Sequence, residues 1–263
     1  MGGTTYAVAG GKGGVGKTTT ALNLAVALET AGTDAAVVDA DLGMTNLGEL
    51  AGIDPDRSIH DVLAGGASVE EATTRGPGGV TVLAGERDLD AYGRADPAEL
   101  RPAIEDLRRD HDAVVVDTGA GLSHEALVPY GLADAVALVT TPGETAAVDT
   151  RKTADMVRQV GGTVMGTVVT RTHPGASGDD RGHDPDVDPT VDAVGEPLLA
   201  TVPDAPDLAG SEPMVVTAPD SDPAAAYRRL AGRVAARADL AYSHAAAADA
   251  DASVNRPAGA TQD

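Results

Sequence analysis

The chain has 263 residues, of which 42% are apolar, and it carries a formal net charge of −22. The length suits one large α/β domain with a buried core, whereas the acidic balance argues against a broad electrostatic grip on nucleic acid, which needs clustered Lys or Arg. The absence of cysteine excludes disulfides, thiolate-held iron–sulfur clusters and a catalytic thiol.

Short β-rich runs alternate with helical patterns along the chain, which predicts parallel strands joined by crossover helices. The predicted strands are Thr4–Gly10, Ala35–Asp39, Gly79–Ala84, Ala113–Asp117, Ala135–Thr140, Val164–Arg171 and Pro197–Val202. The predicted helices are Lys17–Thr30, which Gly32 should stop, Pro97–Arg109, Glu144–Val160 and Asp222–Ala238. Because several strands are continuously apolar, we expect helices on both faces of the sheet. The predicted fold class is therefore α/β, with three α/β/α layers and a mostly parallel central sheet.

A glycine-rich loop follows the first predicted strand and opens the first predicted helix. The segment from Gly11 to Thr18 fits the pattern G-x-x-x-x-G-K-[ST] in the context that a phosphate-binding loop requires. Glycines let successive backbone N–H groups turn toward phosphates, and the helix adds its positive N-terminal end. Lys17 is expected to reach the β- and γ-phosphates, and Thr18 to provide a hydroxyl ligand for Mg²⁺. The residues of this loop expected to bind the nucleotide are Gly11, Lys12, Gly13, Gly14, Val15, Gly16, Lys17, Thr18 and Thr19.

The second lysine of this loop, Lys12, is the more discriminating one, because the chain has only three lysines and the general pattern places no constraint at this position. The form Lys-Gly-Gly-Val-Gly-Lys-Thr resembles the deviant Walker A motif of the MinD/ParA family of P-loop ATPases. The resemblance implies ATP as the nucleotide and a face-to-face, ATP-dependent homodimer. Lys12 would then neutralise transition-state charge in the partner's site, as an arginine finger does.

The segment from Val37 to Leu47, at the end of the second predicted strand, resembles the switch I of the same family. The resemblance implies that Asp41 orients the attacking water, that Asp39 lies near the metal shell and that Asn46 lies at the dimer face. A carboxylate beside the γ-phosphate can accept a hydrogen bond from water and hold it in line.

An apolar strand that ends in Asp117 resembles the Walker B motif of the family, followed by switch II. By this resemblance Asp117 would hold Mg²⁺ together with Thr18, which suffices because Mg²⁺ keeps much of its hydration. Gly119 and Gly121 would let switch II close and reopen. Many members of the family carry Pro where Gly119 stands, and this difference predicts a looser switch II.

Later segments resemble the family's base pocket and partner face. Arg171, at the end of a strand, and the pair Pro203 and Asp204 would surround the base, with Thr170 replacing an Asn that could make more amide-like contacts. Asp149 matches a family acid near the dimer and partner face. The six histidines show no metal-site spacing, so we expect structural or surface roles for them.

The absence of cysteine removes the family members that depend on thiols and leaves MinD-like spatial regulators and ParA-like DNA segregation ATPases. In the last predicted helix, Tyr227, Leu230 and Val234 form a narrow apolar stripe with arginines on another face. We expect this helix to close the domain by packing on the sheet. An interfacial membrane helix and a local DNA-binding patch are the alternatives, and DNA binding is not favoured.

The domain is expected to span residues 1–243, with a mobile acidic loop at 172–190 and a disordered Ala/Asp-rich tail at 244–263. An excess of Asp over Glu and of Arg over Lys is typical of proteins from salt-rich cytoplasm. No signal peptide and no apolar run of about 20 residues is evident. We therefore expect a cytoplasmic, halophilic protein, with peripheral attachment to the membrane as the alternative.

Taken together, the motifs predict a MinD-like ATPase with Mg²⁺ as cofactor, which dimerises with ATP and presents a surface to an unidentified protein partner. Lys12, Lys17 and Asp41 are its expected catalytic residues, and Thr18, Asp39 and Asp117 its expected metal residues. The alternatives are a ParA-like DNA or plasmid segregation ATPase, a metabolic carboxylate-activating enzyme of the same superfamily, and a nucleotide-binding scaffold without hydrolysis.

Overall fold

A computed structural model describes residues 2–120, 124–173 and 189–237. Its strands are β1 (Thr4–Ala9), β2 (Ala35–Ala40), β3 (Thr74–Arg75), β4 (Thr81–Leu83), β5 (Ala113–Thr118), β6 (Ala135–Thr140), β7 (Val164–Thr172) and β8 (Leu198–Pro203). They form one sheet in the order β3-β4-β2-β5-β1-β6-β7-β8. Every neighbouring pair is parallel except β3 and β4, which are antiparallel. The predicted α/β class with a mostly parallel sheet is confirmed.

The helices flank this sheet. They are α1 (Lys17–Thr30), α2 (Leu47–Ala51), α3 (Ile59–Leu63), α4 (Val69–Ala72), α5 (Leu89–Arg94), α6 (Leu100–Asp110), α7 (His124–Leu132), α8 (Glu144–Gln159), α9 (Pro189–Val194), α10 (Met214–Thr217) and α11 (222–237). Short 3₁₀ turns occur at Pro77–Gly79, Pro97–Glu99 and Pro206–Leu208. Over the described ranges, none of these helices combines the length and the apolar character that crossing a membrane requires.

The strand residues divide into two buried clusters, one on each face of the sheet. Val8, Val37 and Val115 pack in the cluster that contains α1 and α11. Their neighbours along the strands, such as Val38 and Val116, pack in the cluster that contains α3, α6 and α8. Because successive side chains of a strand point to opposite faces, continuously apolar strands are buried on both sides, as the sequence predicts.

The seven predicted strands are confirmed, with ends that agree to within two residues. The two-residue strand β3 was not predicted, because a pair such as Thr74–Arg75 carries no periodicity. The predicted helix from Pro97 is wrong in its first turn, which is 3₁₀ with the Asp96 carboxylate accepting from the Ala98 N–H at 2.9 Å. The α-helix begins at Leu100.

Helix α1 ends as predicted. Ala31 is its C-cap, and Gly32 follows with φ of 95°, the left-handed conformation that glycine adopts without strain. The helices α2, α3, α4, α5, α7, α9 and α10 were not predicted, because elements of four to nine residues show too little of the 3.6-residue period. Two of them begin with capping boxes, Ser58 with Asp61 and Ser68 with Glu71.

The packing prediction for the last helix is confirmed. Tyr227, Leu230 and Val234 are buried in the cluster beneath α1, and the guanidinium groups of Arg233 and Arg237 donate to backbone carbonyls of β8 and β7. The apolar stripe of the described part of α11 is therefore occupied by the protein's own core.

The predicted mobile loop was placed too widely, since Thr172 belongs to β7 and Pro189 to α9. The centre of that loop, residues 174–188, and the predicted tail, residues 244–263, lie outside the described residues.

Candidate functional site

The candidate site lies at the carboxyl ends of three adjacent strands, β2, β5 and β1. Asp39 of β2 pairs in register with Asp117 of β5, which pairs in turn with Val8 of β1. The glycine-rich loop leaves β1 just beyond this point and leads into α1. The strand order thus brings the loop and both carboxylates together, as ligand sites of open parallel sheets require.

The loop forms an open cradle for an anion. Gly14 has φ of 75° and Gly16 has φ of 93°, a backbone conformation that side chains with a Cβ rarely adopt. Apart from the adjacent residues of the loop, no atom of the described residues lies within 4 Å of where a Cβ would stand at Gly13 or Gly14. Gly16 caps α1 without a side-chain hydrogen bond, so the first N–H groups of the helix remain available to an anion.

The first glycines of the loop are required by close packing. A Cβ at Gly10 would stand 2.9 Å from the carbonyl oxygen of Val139 on β6. A Cβ at Gly11 would stand 2.7 Å from the backbone of Asp149 on α8. Only glycine lets the loop pass this close to β6 and α8, which hold it against the sheet.

Asp117 is a buried carboxylate, and within the described residues neither of its oxygens has a partner with hydrogen-bond geometry. Burial raises the pKa of Asp117 well above its usual range, the neighbouring Asp39 adds to the rise, and the nearby Thr18 hydroxyl and Lys17 ammonium oppose it. A buried carboxylate without partners is costly unless a cation compensates it. Asp117 and Thr18 therefore fit the donor set that Mg²⁺ takes from proteins, in which water and phosphate oxygens complete the shell.

The described residues contain no group of three or more His, Asp or Glu side chains arranged to hold a metal ion by themselves. This agrees with a site in which the protein supplies few of the ligands.

Asp39 is fully buried and is occupied by backbone donors. Its carboxylate accepts from the N–H groups of Asp41 at 3.2 Å, Asn46 at 3.3 Å and Leu47 at 3.2 Å. Burial nevertheless raises the pKa of Asp39 to about 7. These contacts make Asp39 a holder of the loop between β2 and α2, and its membership of the metal shell stays a prediction. Asn46, expected at a dimer face, is the N-cap of α2.

Asp41 connects the two predicted switch segments. It is partly buried, and burial raises its pKa while the Lys17 ammonium opposes the rise. A Cβ at Gly119 would stand 3.2 Å from Asp41 Oδ1. A glycine at this position therefore leaves room for the Asp41 carboxylate beside switch II. Gly121 lies outside the described residues.

The two loop lysines have different surroundings. Lys17 is buried, with 6% of its surface exposed. Its positive charge opposes the rise in the pKa of Asp41 and of Asp117. Lys12 leaves 47% of its side chain exposed and forms an ion pair with Asp149 of α8 at 2.9 Å. The structure therefore holds one lysine inside the cradle and one at its outer surface.

Asp149 also pairs with Lys152, at 3.2 Å. The two ammonium groups, Lys12 first, hold the pKa of Asp149 below its usual value. Sequence reasoning gave Lys152 no role, although a third lysine three residues after Asp149 in a chain so poor in lysine was a usable signal. All three lysines of the chain thus lie at this site.

A cavity of about 190 Å³ lies beside the cradle. Gly16 and Thr19 line it from the loop side, and Arg171, Pro203 and Asp204 line it from the ends of β7 and β8. The structure therefore brings together the three residues that sequence reasoning assigned to the base pocket, next to the phosphate loop. Arg171 has φ of 54°, a left-handed backbone conformation uncommon outside glycine.

Thr170 has a structural contact that sequence reasoning missed. Its buried hydroxyl lies 2.7 Å from the carbonyl oxygen of Val15 and 3.1 Å from that of Thr140. A hydroxyl has a single proton to donate, so Thr170 donates to one of these carbonyls at a time, and the shorter contact, to Val15, ties the phosphate loop to β7.

Comparisons with known proteins agree with this geometry. The chain is 31% identical over 233 residues to an uncharacterized ATP-binding protein of Methanocaldococcus jannaschii. The matched region covers 87% of this chain and 86% of the relative. The structure of the cell division ATPase MinD of Pyrococcus furiosus is 34% identical with a TM-score of 0.78, over 88% of this chain and 98% of that one. The septum site-determining protein MinD of Pyrococcus horikoshii, complexed with Mg-ADP, is 32% identical with a TM-score of 0.78, over 88% and 95%.

A family model described as the CobQ/CobB/MinD/ParA nucleotide binding domain matches residues 6–212. This range contains the glycine-rich loop, both buried carboxylates and the residues at the ends of β7 and β8 that line the cavity. The chain belongs to the CobQ/CobB/MinD/ParA family of nucleotide-binding domains.

Proposed function

We propose that this protein is a MinD-like switch that binds ATP with Mg²⁺, dimerises in the ATP state, and returns to the monomer by hydrolysing ATP. Its output is cellular positioning, such as division-site placement, through an unidentified protein partner that binds the dimer. The MinD proteins to which the chain is similar, a cell division ATPase and a septum site-determining protein complexed with Mg-ADP, support this proposal.

The observation that carries the proposal is the separation of the two loop lysines. Lys17 is buried among the carboxylates, where it can neutralise a phosphate of its own nucleotide. Lys12 is half-exposed and paired on the outside of the loop, where it is available to a second copy facing the cradle. A single site completed by its twin makes hydrolysis depend on dimerisation.

The remaining residues take roles that fit their surroundings. Thr18 and Asp117 would hold Mg²⁺, which, when bound, neutralises charge that develops on the phosphate oxygens. Asp41, partly buried beside Lys17, is suited to accept a hydrogen bond from the attacking water. Arg171, with Pro203 and Asp204, would enclose the base.

The first test measures oligomeric state by light scattering in high salt with ATP and Mg²⁺. The Asp41→Ala variant is expected to accumulate as a dimer, because it forms the ATP state and cannot leave it, whereas Lys17→Ala should bind no nucleotide. ATP turnover by the wild type without any added substrate separates this switch from a carboxylate-activating enzyme. A wild type and an Asp41→Ala variant that both stay monomeric with ATP would refute the switch.

A second test asks whether Lys12 acts across the dimer. Lys12→Ala and Asp41→Ala should each be inactive alone. In a mixed dimer, the subunit that retains Asp41 receives Lys12 from the other subunit, so mixing the two variants is expected to restore ATP hydrolysis. A mixture of Lys17→Ala and Lys12→Ala is the control. It tests whether a subunit that binds no nucleotide can still dimerise and supply Lys12 to the other subunit. If the first mixture stays inactive while its mixed dimer is detected, Lys12 does not act in trans.

A further inference from the structure

The loop that follows β2, residues 41–46, is held by a histidine that belongs to none of the nucleotide motifs. His60 lies on α3 with 1% of its surface exposed. Its Nε2 atom lies 2.9 Å from the carbonyl oxygen of Leu42, and its Nδ1 atom lies 3.2 Å from the backbone nitrogen of Glu86. His60 therefore bridges the residue next to Asp41 and the segment that follows β4.

The two backbone partners fix the proton on the ring. A carbonyl oxygen only accepts, so Nε2 carries the hydrogen that is donated to Leu42, and a backbone N–H only donates, so Nδ1 is the acceptor for Glu86. The ring is enclosed, with 1% of its surface exposed. His60 thus has a single orientation and tautomer, which makes it a rigid support for the backbone of the loop.

Two other side chains hold the far end of the same loop. Arg87 donates from Nε to the carbonyl oxygen of Thr45 at 3.1 Å, and Asp39 accepts from the N–H groups of Asn46 and Leu47. Within the described residues, His60 is the side chain that bonds to the backbone immediately after Asp41. Leu42 is bonded directly to Asp41 through a planar peptide that keeps their Cα atoms about 3.8 Å apart, so a bond that fixes the Leu42 backbone limits how far Asp41 can move.

We propose that His60 is a positioning residue for ATP hydrolysis: the hydrogen bond from its Nε2 to the Leu42 carbonyl holds Asp41 in the orientation that aligns the attacking water. This inference rests on the proposed ATPase function. His60 is 1% exposed and both its ring nitrogens bond to backbone groups, so it acts through the loop. Its loss should therefore lower the hydrolysis rate constant and leave nucleotide affinity unchanged, since misplacement of a catalytic group by a fraction of an ångström slows catalysis without removing binding contacts.

The experiment compares two substitutions of similar polarity. His60→Gln keeps an N–H at about the reach of Nε2 and can still donate to Leu42, whereas His60→Asn keeps an acceptor near the position of Nδ1 and is too short to reach Leu42. His111→Asn is the matched control. His111 also makes two hydrogen bonds, to Leu107 and Thr81. It lies just before β5, at the amino ends of the strands, whereas Asp41 lies at the carboxyl ends.

For each variant, single-turnover ATP hydrolysis, mant-ATP affinity, thermal unfolding and amide hydrogen exchange of the segment 41–47 are measured. His60→Asn should hydrolyse ATP about tenfold more slowly, because the unbonded loop samples other orientations, with unchanged affinity and faster exchange at 41–47. His60→Gln should be near the wild type in rate and exchange. His111→Asn should lose thermal stability without a change in rate.

The outcomes separate the two proposals. A wild type that binds ATP and does not hydrolyse it overturns the ATPase function, and the role of His60 with it. A wild type that hydrolyses ATP together with a His60→Asn variant of equal rate overturns the role of His60 alone. Equal slowing and equal loss of thermal stability in His60→Gln and His60→Asn would mean that His60 only fills space in the fold, which also overturns the proposal.

Discussion

Replacing Asp117 with Asn is expected to stabilise the protein without nucleotide and to destroy its response to Mg²⁺. Both Asp117 oxygens are buried, and neither has a partner with hydrogen-bond geometry in the part of the chain that the structure describes. Asp39, itself fully buried, adds its negative charge nearby. A buried unsatisfied polar group destabilises a protein by about 2 kcal/mol, and a charged one by at least as much. An amide is uncharged but is itself a buried polar group, so the variant should recover only the part of the cost that comes from the charge. That part is on the order of 1 kcal/mol, which corresponds to a rise in Tm of about 3 °C for a domain of this size.

The Tm difference between Asp117→Asn and the wild type should depend on pH. Burial raises the pKa of Asp117 above its unfolded value, so the folded state binds more protons than the unfolded state once pH passes the unfolded pKa. The stability of the nucleotide-free wild type therefore falls as pH rises from about 4 toward the raised folded pKa. The Asp117→Asn variant lacks this loss, so its advantage in Tm should be small near pH 4 and larger at pH 8.

The assay is thermal unfolding in high salt with EDTA, repeated with Mg²⁺ and ATP. The Asp56→Asn variant is the control, since it removes the same charge from an exposed site and should leave Tm nearly unchanged. Mg²⁺ with ATP should raise the Tm of the wild type, because a ligand that binds the folded state stabilises it, and should raise that of Asp117→Asn far less. An Asp117→Asn variant that melts at or below the wild-type temperature at pH 8 in EDTA would refute the reasoning.

Three further predictions concern the loop and the surface. Gly11→Ala should destabilise the protein by about 1–3 kcal/mol in urea unfolding, because its Cβ meets the backbone of Asp149 at 2.7 Å. Gly13→Ala, whose Cβ meets no described residue beyond its chain neighbours within 4 Å, should cost less than about 1 kcal/mol. Equal losses would contradict the packing argument. Asp149→Asn frees Lys12 and should strengthen the ATP-dependent dimer about threefold in sedimentation equilibrium. Lys152→Ala leaves Asp149 to Lys12 alone and should weaken the dimer. Shifts in the same direction for both variants would contradict the idea that Asp149 competes with the partner subunit for Lys12. The chain has a net charge of −22, so its Tm should rise between 0.1 M and 1 M KCl, because screening shortens the Debye length from about 10 Å to about 3 Å. A Tm that does not change with salt would contradict the expected salt adaptation.

Features that depend on neighbouring residues in the chain could be predicted from the sequence. The alternation of apolar runs predicted the seven longer strands and their parallel sheet, and the spacing of glycines around Lys17 predicted the phosphate loop. The same local chemistry predicted Asp117 at the end of a buried strand. Helices of four to nine residues escaped prediction, since their formation depends on packing beneath them more than on their own pattern.

The sequence by itself determined the glycine-rich loop and the carboxylates at strand ends, because backbone conformation and strand periodicity are local properties. Tertiary structure decided which groups meet: the order β2-β5-β1 brings Asp39 and Asp117 into register, and the approach of α8 to Gly11 gives Lys12 its partner in Asp149. It also directed the Thr170 hydroxyl toward Val15 and the His60 ring toward Leu42. These pairings join residues up to 155 positions apart, and such contacts arise only when the sheet and its helices pack together.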